Sequence, residues 1–69
     1  MKSKKAKFLI QVLEDNAFIF LRQKGSHIIY KKENIIVIVP YHGSNKEIPL
    51  GTFLNIIRQS KLNKDLFEF

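Results

Sequence analysis

The sequence predicts an α+β domain in which one helix precedes three antiparallel strands and a second helix follows them. Three observations carry this. Apolar residues at helical spacing open the chain, three β-branched and aromatic runs separated by short polar turns come next, and helical spacing returns after a long loop. At 69 residues the chain is expected to form one domain over residues 1–69, near the lower size at which a single hydrophobic core holds a fold without disulfides or metals.

In the first segment Ala6, Leu9, Ile10 and Leu13 fall on one helical stripe with no Pro or Gly among them. Ser3 is placed to cap its start, and Asp15 and Asn16 form a polar stop. AFIFLRQ then reads as a strand, KGS as a tight turn and HIIYKK as the returning strand. KEN makes the next turn, with Asn34 suited to the left-handed conformation, and IIVIVP is a third strand ended by Pro40. The stretch YHGSNKEIPLG holds two Gly and a Pro without periodicity and reads as a functional loop. Phe53, Ile56, Ile57 and Ser60 restore helical spacing, with Thr52 as the expected cap. Asn63 is placed to cap a last short helical turn, with Leu62 and Phe67 as a hydrophobic staple across it. There is no repeat, linker or low-complexity tract.

The strands are apolar on both faces. A sheet covered by helices on one side should alternate, yet Phe18 through Leu21 and Ile35 through Val39 are apolar throughout. Alternation assigns Ile19, Leu21, Ile36 and Ile38 to the uncovered face, and a patch of that kind marks a partner site more often than scattered surface aliphatics do.

Charge is distributed as unevenly as hydrophobicity. The net charge is +6, and residues 1–32 carry all of it: eight Lys or Arg stand there against Glu14 and Asp15, while residues 33–69 are neutral. A one-sided positive field favours a polyanion or an acidic protein as partner. Cysteine is absent, which removes disulfide and zinc-thiolate chemistry and suits a reducing cytoplasm. No apolar run is long enough to span a bilayer, so no membrane partner is expected. The lysines ahead of FLIQVL are arranged as in a signal peptide, but that run is too short and no small-residue cleavage site follows it, so the segment is expected to belong to the fold.

The six carboxylates are scattered, and two histidines without thiolates make a poor zinc site; no metal or other cofactor is called for. Nucleotide-binding glycine loops and the GxSxG elbow are missing as well. What remains is Arg22, Gln23, Lys24, Gly25, Ser26 and His27, packed into a hairpin on the basic half. Cleaving RNA without a metal requires a base for the ribose 2′-hydroxyl, an acid for the leaving oxygen and cations at the phosphate. A histidine can move the proton, Lys24 and Arg22 can supply charge, Gly25 allows close approach of the backbone, and Ser26 can donate a hydrogen bond. An exposed hairpin histidine beside lysines is, on residue chemistry alone, more often plain surface. His42 at the loop entrance, or Lys46 within the loop, can serve as second proton carrier or phosphate contact if the loop folds over the hairpin.

These residues carry a resemblance. RQKGSH, followed in order by VPYH, NKEI and GTFLNIIRQSKL, is similar to the motif series of the HicA toxins of toxin–antitoxin pairs, and the likeness covers nearly the whole chain. It implies a fold like the double-stranded-RNA-binding domain, endoribonuclease cleavage of mRNA that arrests translation and growth, and neutralisation by a cognate HicB-type antitoxin. It also implies that His27 is the catalytic residue, with Gly25 and Ser26 completing the motif. Two positions depart from the family pattern: Ala17 stands where glycine is usual, and Leu50 where proline is usual. Two rival readings remain at this point, a module that binds RNA without cleaving it and an interaction subunit built around the apolar sheet face.

Overall fold

The computed structural model describes residues 5–43 and 46–67. Helix α1 (Ala6–Asp15) is followed by strands β1 (Ile19–Lys24), β2 (His27–Lys32) and β3 (Ile35–Pro40), helix α2 (Leu50–Ser60) and a 3₁₀ turn (Lys64–Phe67). The strands form one antiparallel sheet in the order β1-β2-β3, as a meander must when its links are two residues long. The α+β class and the order helix, three strands, helix, short helical turn are those the periodicities predict.

Both helices lie on one face of the sheet. Leu9, Val12 and Leu13 of α1 and Phe53, Ile56 and Ile57 of α2 meet Ile28, Tyr30, Val37 and Val39 of the sheet in a single core. Phe67 of the 3₁₀ turn is also part of it and meets Phe53 edge-on, with ring centroids 5.9 Å apart. Asn63 caps that turn as its sequence position predicts, its side-chain oxygen accepting from the Asp65 N–H at 2.9 Å. The Tyr30 hydroxyl donates to the Glu14 carboxylate at 2.8 Å, fastening α1 to β2. Burial and the adjacent Glu14 carboxylate push the Tyr30 phenol up to about 12, because both disfavour a second negative charge there.

Helix α1 ends on a Schellman motif. The Phe18 N–H donates to the Leu13 carbonyl at 3.0 Å and the Ala17 N–H to the Glu14 carbonyl at 3.3 Å, which requires a left-handed residue at position 17. Ala17 takes that conformation with φ 73°, at a cost that glycine does not bear.

Two local expectations are corrected. The left-handed residue of the second hairpin turn is Glu33 (φ 55°), not Asn34: Lys32 pairs with Ile35, and the two-residue link places positive φ at its first position. Thr52 does not cap α2. The helix starts earlier, at Leu50 with Pro49 as N-cap and no side-chain cap bond, because the Phe53 N–H already reaches the Pro49 carbonyl at 2.9 Å. Helix α1 has Lys5 at its N-cap position without a side-chain cap bond, and Ser3 lies outside the described residues.

Candidate active site on the outer sheet face

Strand register decides which side chains share a face, since directly opposed residues point the same way. On the face away from the helices three rows cross the sheet: Lys24, His27 and Pro40; Arg22, Ile29 and Ile38; Ile19, Lys31 and Ile36. Strict alternation from Ile19 would instead put Arg22 and Lys24 on the helix side, beside Phe20. A β-bulge between Phe20 and Arg22 prevents this: Phe20 opposes Tyr30 and Arg22 opposes the next residue back, Ile29, so Leu21 is the extra residue. The slip therefore places Arg22 and Lys24 on the face that carries His27.

The turn between β1 and β2 is shaped by Gly25, whose φ of 59° at the first of two central positions is the pattern of a II′ hairpin link. The Gln23 side chain donates to the Gly25 carbonyl at 3.1 Å and braces the turn. The Ser26 carbonyl accepts from the Tyr41 N–H at 2.6 Å, which ties the segment after β3 to the hairpin and holds Pro40 across from His27. His27 is exposed, as are Arg22 and Lys24. Lys24, Gly25, Ser26, His27, Ile29 and Ile38 line an open groove of about 590 Å³.

His42 and Lys46 lie elsewhere. They line a neighbouring groove of about 390 Å³ with Pro40 and Thr52, at the start of α2. The loop is drawn there because the Lys46 carbonyl accepts from the Ala6 N–H at 3.2 Å and the backbones of Lys5 and Glu47 form an isolated antiparallel β-bridge, which fastens the loop to the start of α1 instead of folding it over the hairpin. The structure thus groups Lys24, Gly25, Ser26 and His27, sets Arg22 one row away, and leaves His42 and Lys46 beyond Pro40.

Ile29 escaped the sequence reading as a site residue. The signal was available: two positions beyond His27 in HIIYKK, it must share that residue's face. The exposed apolar surface predicted from the strands is present, with Ile19 65%, Leu21 48%, Ile36 44% and Ile38 45% exposed. Among the described residues no three His, Asp or Glu side chains come together in a group able to hold a metal ion, and no helix is long and apolar enough to cross a membrane.

No curated protein matches the chain in sequence. The family model described as the HicA toxin of bacterial toxin-antitoxin matches residues 6–62, which takes in both helices, the whole sheet and the His27 groove. The chain therefore belongs to the HicA toxin family and is the toxin member of a toxin–antitoxin pair.

Proposed function

We propose that this toxin is an endoribonuclease that cleaves mRNA without a metal ion, with His27 as its catalytic acid–base, and that its cleavage arrests translation and growth. The observation that supports this most is the bulged register, which puts Lys24 directly across from His27 and Arg22 in the adjoining row on one solvent-facing surface. In the proposed reaction His27 takes the proton of a ribose 2′-hydroxyl. The 2′-oxygen attacks the adjacent phosphorus, the bond to the 5′-oxygen breaks, and that oxygen takes a proton from water. Lys24 and Arg22 stabilise the negative charge gathered on the phosphate, and the Ser26 hydroxyl donates to it. Gly25 keeps the turn free of a side chain: a Cβ built there has nothing within 4 Å, so an RNA backbone can pass close to it. His42 and Lys46 extend the polar surface beyond Pro40 as contacts for the continuing strand.

The partner in the pair is proposed to be a HicB-type antitoxin of acidic surface that covers the basic half and the apolar outer face around Ile19, Leu21, Ile36 and Ile38. The test of the nuclease reading is RNA cleavage by purified toxin in excess chelator. Full activity is expected. Cleavage that disappears and returns only with added Mg²⁺ or Mn²⁺ would remove the histidine mechanism, because the metal would then be supplying the nucleophile or stabilising the charge.

A further inference from the structure

We propose that Ile29 and Ile38 form the seat for an unpaired nucleobase next to the scissile phosphate, so that the substrate is single-stranded or looped RNA and not a continuous duplex. This rests on the ribonuclease reading and names its substrate class. Ile29 and Ile38 are opposed partners on β2 and β3, and they form the apolar floor of the groove that Lys24, Gly25, Ser26 and His27 also line. They lie one row from His27, a spacing of about 7 Å for two strand residues. Arg22 closes the row on the β1 side. Ile38 is 45% exposed, and Ile29 is partly exposed beside it.

The choice between duplex and single strand follows from what each shows to a protein. A continuous A-form duplex presents phosphates, 2′-hydroxyls and base edges, while its base faces are stacked inside. It has nothing apolar to lay on two isoleucines. An unpaired nucleotide has both surfaces the groove needs: an anionic backbone to meet Lys24 and Arg22, and a flat base whose face can cover the aliphatic floor. The three rows of this face contain no aromatic side chain, since Phe20 and Tyr30 oppose each other in a row on the helix side. The seat is therefore shallow and tolerant of base identity.

The experiment uses one RNA sequence, presented single-stranded and annealed to its complement, with wild type, Ile38→Ser, Ile38→Phe and His27→Ala. Wild type is expected to cleave the single strand at least about tenfold faster than the duplex. Ile38→Ser should lower kcat/KM on the single strand about tenfold, mostly through KM, because the apolar contact to the base is lost. Ile38→Phe should lower KM below wild type, since an aromatic ring stacks better than an aliphatic chain and suits a strand equally well. Binding of a 2′-deoxy strand, which lacks the attacking hydroxyl, should follow the same order. Equal cleavage of duplex and single strand, or KM unchanged in both Ile38 variants, overturns the seat. The nuclease reading survives that result so long as His27→Ala is inactive. Antitoxin binding lost in Ile38→Ser with RNA binding unchanged would assign the floor to the protein partner instead. A wild-type protein that cleaves neither form removes the nuclease reading and the seat with it.

Discussion

Replacing Ala17 by glycine should stabilise the toxin. Ala17 is the left-handed residue of the Schellman motif that ends α1, at φ 73°, and two backbone hydrogen bonds depend on its staying there. Holding an L-residue with a Cβ in that region costs roughly 1–2 kcal/mol. Glycine escapes this cost but gives the unfolded chain more freedom, which forfeits about 0.4–1 kcal/mol. The net gain should be about 0.5–1 kcal/mol, and in a domain of this size 1 kcal/mol moves Tm by roughly 4–8 °C. Thermal unfolding followed by far-UV circular dichroism should therefore show Ala17→Gly melting about 3–6 °C above wild type. Ala17→Val supplies the opposite sign, because a β-branched side chain resists positive φ more strongly still. A glycine variant that melts at or below the wild-type temperature would mean that position 17 is not held left-handed.

Two further outcomes follow from the same structure. Tyr30 titrates near 10 when unfolded and near 12 when folded, so its contribution to stability is complete below pH 10 and is lost as pH rises through 12. The stability deficit of Tyr30→Phe, about 1 kcal/mol near neutral pH from the lost bond to Glu14, should shrink as pH climbs from 10 to 12 in parallel denaturant titrations; a deficit constant across that range contradicts it. For the antitoxin, surface plasmon resonance should show charge reversal at Arg22 and Lys24 mainly slowing association, with an effect that fades in high salt, whereas Ile36→Ser should mainly speed dissociation. A complex that leaves both regions exposed and both rates unchanged refutes that surface.

Much of the fold was legible because period and punctuation agree along this chain. Helical stripes at Leu9 and Leu13 and at Phe53, Ile56 and Ile57 became the buried helix faces, and KGS became a two-residue hairpin link. The left-handed turn residue and the slip at Leu21 were not legible because they depend on pairing partners that a single strand's pattern does not reveal. Whether Glu33 or Asn34 turns left-handed follows from which residues close the hairpin, and here Lys32 and Ile35 close it. Leu50 is the first helical residue of α2, where no N–H is required, so the proline that the family resemblance implies at this position would fit there. The site was legible as a list but not as an arrangement. Arg22, Lys24 and His27 were picked out by their chemistry, yet alternation alone would have split them between two faces, and only the slip at Leu21 brings them together.

RNA cleavage and thermal melting of His27→Ala beside wild type, on matched preparations, test whether His27 carries the chemistry and little of the fold. His27 is exposed at the head of β2, outside the core, so its loss should change stability by no more than about 0.5 kcal/mol and leave antitoxin binding close to wild type. Losing the proton-transfer group should slow cleavage by about a hundredfold to ten-thousandfold. A folded His27→Ala protein that cleaves RNA at near the wild-type rate would rule out His27 as the catalytic group and move the chemistry to His42 or the lysines.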